Sequence, residues 1–138
     1  MCPPQQSASR ISCDGSDLYA LGYTSTATAL FTDDALKGLL RSARRFNATR
    51  GVTGKLYAVK QGPVVVRFAQ WIEGDAAALG ECFRRIQADP RHAGIRVHMW
   101  SPVAERRFEG WSMAVERVVA RPSDADVAEW LGMPAALN

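Results

Sequence analysis

Phe68-Ala69-Gln70-Trp71-Ile72-Glu73-Gly74 reads as the end of a buried strand that begins at Val64. Its β-branched and apolar residues suit a central place in a sheet. Successive strand side chains point to opposite faces, so Phe68, Gln70 and Ile72 share one face. An amide is thereby set among apolar neighbours. Leaving such a group without partners costs about 1–3 kcal/mol, so the fold around it must supply a donor or an acceptor for Gln70.

Working outward, Leu18 to Tyr23 forms a first strand with Tyr19, Leu21 and Tyr23 on one face and Leu18, Ala20 and Gly22 on the other. A polar loop, Thr24 to Thr28, leads to Thr32, an N-cap followed by Asp33 and Asp34 at the positive end of a helix dipole. The helix runs to about Ala48. Leu36, Leu40, Ala43 and Asn47 line one of its faces, flanked by Leu39 and Phe46. Gly51 stops the helix, and Gly54 to Val59 is a second strand that turns back at Gln61-Gly62-Pro63 into the third. A second helix, Ala76 to about Ala88, turns Leu79, Cys82, Phe83 and Ile86 inward and ends before Pro90. Ile95 to Trp100 is a fourth strand and Trp111 to Val119 a fifth, joined by a charged connection from Pro102 to Gly110. Ser123 to Asp126 offers a variant capping box for a last short helix up to about Leu131.

The order β-α-β-β-α-β-β predicts an α+β, ferredoxin-like fold: a single mixed sheet, two helices on one face and a short C-terminal helix. Right-handed crossovers are taken to make the first and third strands parallel central neighbours, which places Tyr23 beside Gln70. Residues 1–16, rich in Pro, Gln and Ser, read as a mobile leader, 17–119 as the folded domain and 120–138 as a helical tail.

With 138 residues, 47% hydrophobic and 22% charged, the chain fits one globular domain. No apolar run approaches the roughly 20 residues that span a bilayer, and the N-terminus lacks the pattern of a signal peptide, so a cytoplasmic protein is expected. Three cysteines without C-x-x-C spacing argue against a disulfide framework or a zinc site. A net charge of +3 is too small to imply nucleic acid by itself.

Five segments carry a resemblance. Tyr23-Thr24-Ser25, Asn47 with Gly51-Val52-Thr53-Gly54, Gln70 to Gly74, Asp89-Pro90-Arg91-His92 and Arg106 to Met113 resemble, in the same order, the motifs of the BLUF family of blue-light sensors using flavin. The resemblance covers about Leu18 to Val115. It implies a non-covalent flavin, usually FAD, with FMN or riboflavin as alternatives, its ring held between the two helices and over the sheet. Tyr23 is then the phenol that gives up an electron and a proton, and Gln70 the switching amide between Tyr23 and the flavin. Asn47 binds the carbonyl and imide edge, and Arg91 and His92 hold the far side of the ring or the ribityl chain. Trp111 and Met113, on the fifth strand, match positions that approach Gln70 alternately, and Ser42 falls near the site. Between Gly54 and Gln70 the chain is several residues longer than usual, which implies an extended hairpin around Lys60 to Val65; Ala69 is smaller than the usual residue before the glutamine.

Taken singly, these residues have ordinary explanations: a core tyrosine, an amide bonded to backbone, a helix-terminal asparagine, a gap-filling methionine. Their convergence on one inferred sheet favours the site. Two other classes are weighed. Arg41, Arg44, Arg45 and Arg50 give the first helix a basic face, but the exposed aromatics of RNA-binding sheets are missing. Arg91 with Asn47 would suit a small acyl-phosphate hydrolase, but no glycine-rich phosphate cradle accompanies them. The expected protein is a sensor rather than an enzyme. It acts on an unidentified downstream protein, forms a homo-oligomer, and uses neither membrane nor nucleic acid. The tail helix with Trp130 is expected to pack on the sheet face away from the flavin.

Overall fold

The computed structural model describes residues 17–28 and 30–119. The leader and the tail helix with Trp130 lie outside the described residues. Five strands form one sheet in the order β4-β1-β3-β2-β5: β1 (Leu18–Ala27), β2 (Thr53–Gln61), β3 (Val64–Asp75), β4 (His92–Pro102) and β5 (Ala114–Val119). Helices α1 (Asp33–Arg50) and α2 (Ala76–Ala88) complete the β-α-β-β-α-β-β order.

Strand direction differs from the sequence expectation. β1 and β3 are adjacent but antiparallel. The right-handed crossovers join β1 to β2 and β3 to β4, and each leaves room for one strand between its parallel pair. The β2–β3 hairpin returns β3 into the first gap, so it must run against β1. The only parallel pairing in the described sheet is β2 with β5, which makes the sheet mixed.

Local chemistry fixes the helix ends. The Thr32 hydroxyl accepts the Ala35 N–H at 3.3 Å, and Gly51 closes α1 with φ +68°, a left-handed conformation that glycine adopts without steric cost. Asp75 caps α2 through the Ala78 N–H at 2.8 Å. Both helices pack on the face of Leu21, Leu56, Phe68 and Ile72 through Leu36, Leu40, Leu79 and Cys82. The opposite face carries Ala20, Val59, Ala69 and Trp71, with Met99, Val103 and Phe108 against them.

Three boundary differences bear on the site. The Thr24–Ala27 stretch continues β1 because it pairs on both sides, with β3 and with β4, and threonine suits a pleated surface. β4 begins at His92, three residues before the predicted start, pairing His92 with Ala27. β5 begins only at Ala114, so Trp111 and Met113 precede the strand. The carbonyls of Ser112 and Met113 are taken by side chains of α1, at 2.8 Å by Asn47 Nδ2 and at 2.9 Å by Arg44 Nε, and are withdrawn from sheet pairing.

The longer hairpin is absorbed by an irregularity in which Val59 pairs with Arg67 but Lys60 pairs with Val65. One residue of β3 is thereby left out of the ladder. Both Val65 and Phe68 reach the helix-side core despite their odd spacing, and from Phe68 onward Gln70 keeps the helix-side face. Gly54 has its own constraint: a Cβ there would lie 2.0 Å from the Trp71 carbonyl oxygen. Gly54→Ala should therefore force the β2 and β3 backbones apart and cost about 1–3 kcal/mol, read as a lower midpoint of urea unfolding; an unchanged midpoint would contradict this reading of the close approach.

Candidate functional site

The antiparallel register sets Tyr23 directly opposite Gln70. The Tyr23 hydroxyl donates to Gln70 Oε1, and Gln70 Nε2 donates to Met113 Sδ at 3.3 Å. A thioether only accepts, so it fixes the nitrogen end of the amide toward Met113. Tyr23, Gln70 and Met113 are 3%, 7% and 1% exposed. Burial, with smaller contributions from Cys82 and Asp89, pushes the Tyr23 phenol far above its ordinary range, so it stays a proton donor.

A cleft between α1, α2 and the sheet opens above this trio, at a place where small-molecule sites commonly form. Apolar walls come from Phe31, Leu39, Leu40, Phe46, Leu56 and Ile86, and polar groups from Ser42, Asn47, Gln70 and Arg85. Asn47 is 1% exposed. Since the Ser112 carbonyl only accepts, Nδ2 must face it, and Oδ1 is left with the Cys82 thiol at 3.6 Å. Burial raises that thiol to about 11, so it remains neutral.

The predicted site residues are thus partly gathered. Tyr23, Ser42, Asn47, Gln70, Arg91, His92 and Met113 all line the cleft. Trp111 does not; it is 59% exposed, held where the Gly54 N–H donates to its carbonyl at 3.0 Å. Ser42 Oγ accepts from Arg85 at 3.4 Å. Arg91 is clamped by two bonds to Asp89, at 2.9 and 2.7 Å, and this guanidinium holds the Asp89 carboxyl below its ordinary range. His92 presents its ring to the cleft while both nitrogens are engaged, Nε2 donating to the Ile86 carbonyl and Nδ1 paired with Ser25 Oγ, each at 2.7 Å. Its part in the cleft is therefore a matter of shape and packing, 6.2 Å from the Tyr23 ring.

Sequence reasoning did not assign Cys82, Phe31 and Arg85 to the cleft, nor Arg44 to Met113. Cys82 was visible as an inward helical residue, and Arg44, three positions before Asn47, shares its side of α1; what each would touch depended on the path of residues 110–113.

The donor set fits a flat heteroaromatic with an imide edge. Gln70 spends an N–H on sulfur, a weak acceptor, and Asn47 offers its oxygen only to a thiol, a weak donor. One strong donor and one strong acceptor therefore face the cleft with their better bonds unmade, between apolar walls.

A five-stranded ferredoxin-like sheet whose helix-side cleft holds two buried amides defines a fold suited to binding a small ligand. Residues 18–114 match the family model BLUF, sensors of blue-light using FAD; the chain belongs to the BLUF family. It is 35% identical over 109 residues to photoactivated adenylate cyclase subunit beta of Euglena longa, a match covering 76% of the chain and 12% of that protein. The chain thus spans about one eighth of the length of such relatives. Among solved structures it is similar to BlrB, a BLUF protein in its dark state, with a TM-score of 0.67 and 35% identity over 75% of this chain and 74% of that one. It is also similar to Klebsiella pneumoniae BlrP1 with FMN and cyclic diGMP, with a TM-score of 0.63 and 33% identity over 72% and 26%.

Tyr23→Phe removes the donor to Gln70 Oε1 and leaves a buried acceptor unanswered. Denaturant unfolding should show a loss of about 1–3 kcal/mol; a variant as stable as the parent would contradict the bond.

Proposed function

We propose that this BLUF chain is a blue-light photoreceptor that binds FAD non-covalently in the cleft and passes a reversible, red-shifted signalling state to a partner protein. The observation that carries this reading is the buried chain of hydrogen bonds Tyr23–Gln70–Met113 at the floor of the cleft. When bound, the flavin supplies blue-light absorption and an electron demand that rises on excitation.

Asn47 Oδ1 would accept from the imide edge of the ring while Nδ2 keeps the Ser112 carbonyl in place. Phe31 and Phe46 bound the apolar cavity, which excludes water and strengthens the hydrogen bonds inside it. Arg85 and Ser42, on the helix side of the cleft, would hold a phosphate of the bound flavin; FMN and riboflavin share the ring of FAD, and Arg85 would favour a phosphate-bearing form. Tyr23 holds its proton against Gln70 Oε1; it would give an electron and that proton to the excited flavin and take both back once the amide has rearranged. Gln70 then exchanges its donor and acceptor ends by rotation or tautomerisation, a two-state change that needs no backbone movement. Met113 Sδ accepts from only one of the two arrangements, so the residues around 113 register the change.

The cyclase activity of the Euglena proteins belongs to those proteins. For this chain the proposed output is contact with an unidentified protein partner, and the exposed Trp111 and Trp100 are surfaces through which a partner or a second copy would be engaged. A cytoplasmic site of action accords with the described helices, none of which is long and apolar enough to cross a membrane.

Absorption spectra of the protein reconstituted with FAD, before and after blue light, test the reading. The expected result is a yellow protein whose flavin band shifts to the red and recovers in the dark, with the shift lost in Gln70→Leu while the flavin stays bound. The response should persist to about pH 10, where an unperturbed phenol is half ionised, because burial keeps Tyr23 protonated. A bound flavin with no light-induced shift, or a shift that survives Gln70→Leu, overturns the mechanism.

A further inference from the structure

Glu73 is 0% exposed and sits on the sheet face opposite the cleft, two residues after Trp71 and three after Gln70. Its carboxylate accepts four hydrogen bonds. Trp71 Nε1 and the Arg107 N–H reach Oε1, both at 2.9 Å, and the Phe108 N–H at 2.7 Å and Thr53 Oγ1 at 3.1 Å reach Oε2. Arg106 adds a link from its guanidinium to Thr53 Oγ1 at 2.7 Å and to the Glu73 carbonyl at 3.2 Å. The Arg107 guanidinium lies 4.3 Å from the Trp71 ring centroid. A buried carboxylate is tolerated only when its oxygens are answered in this way, so residues 106–108 are fastened to the back of β3.

From that anchor the chain turns at Gly110, with φ +87°, passes Gly54, and arrives on the helix side. There Asn47 and Arg44 hold the carbonyls of Ser112 and Met113, and Met113 meets Gln70. Residues 106–113 are therefore a strap carried from one face of the sheet to the other, fixed behind by Glu73 and in front by the switch.

The geometry points to Glu73 as a positioning residue for the photoswitch: by fixing residues 106–108 on the rear face, it sets Met113 against Gln70 and governs how fast the dark arrangement is restored. This rests on the photoreceptor reading above. Glu73 touches neither Tyr23 nor Gln70 nor the cleft, so it leaves the initial light response intact. Its effect is on recovery, because Met113 must reseat against Gln70 from a strap with a fixed rear end. A loosened anchor gives the strap more arrangements to search and slows the return.

The test is a double-mutant cycle on dark recovery of the flavin band, with the full chain carrying FAD. Glu73→Gln keeps the shape but replaces one accepting oxygen by a donor opposite N–H groups. It should retain flavin and the red shift while slowing recovery about fivefold, the effect of roughly 1 kcal/mol. In the Met113→Ala background the same substitution should change recovery by less than about twofold. If Glu73→Gln does not fold, Thr53→Val, which removes one bond to the carboxylate and one to Arg106, takes its place in the same cycle with the same expectations. Recovery that is unchanged or faster, or slowed equally with and without Met113, overturns the assignment. Absence of any red shift in the parent protein instead overturns the photoreceptor reading on which it stands.

Discussion

The side-chain amide of Gln70 is buried between a phenol that donates to it and a thioether that accepts from it. An amide in that position has two ways to arrange its donor and acceptor ends, and in a low-dielectric cleft each is set by its neighbours. The rest of the structure serves this arrangement. The antiparallel β1–β3 register sets Tyr23 opposite Gln70, and the displaced residue in β3 preserves the face on which Gln70 points. α1 brings Asn47 to the cleft and to the Ser112 carbonyl with a single side chain. One residue thereby reaches both the cleft and the segment that carries Met113.

Coupling to the surface follows from where the strap residues lie. Met113 is buried and Trp111 is exposed, two positions away on the same short segment. A change at Gln70 that altered its hold on Met113 would move a segment whose rear end is fixed by Glu73 and whose exposed aromatic faces solvent. Interior groups linked to a small exposed element of this kind suit a sensor that signals by contact.

Much of this was legible in the sequence. Thr32, Asp75 and Gly51 marked helix ends because capping depends on local chemistry, and the alternation through Phe68, Gln70 and Ile72 gave the face of β3 because pleating has a fixed period. The cleft residues Tyr23, Asn47 and Gln70 were found through motifs whose order along the chain matched the family. Strand direction was misread because adjacency and direction are separate properties: the parallel partner of β1 is β2, with β3 returned between them. Trp111 and Met113 were placed on a strand because Trp111 to Val119 is apolar enough to suggest one. Only tertiary bonds from Asn47 and Arg44 show that the pairing begins later. Glu73 was quoted as part of a motif without a role, since three of its four partners come from two segments distant in sequence.

The claim that the amide of Gln70 switches its hydrogen bonds against the flavin is tested most directly by a light-minus-dark infrared difference spectrum of the FAD-loaded protein. A new or stronger hydrogen bond from Gln70 to the flavin C4 carbonyl must lower the frequency of that carbonyl stretch. The parent protein should show a reversible downshift that disappears in Gln70→Leu. An illuminated protein with bound flavin and an unmoved carbonyl band, or a downshift that persists without the amide, would contradict it.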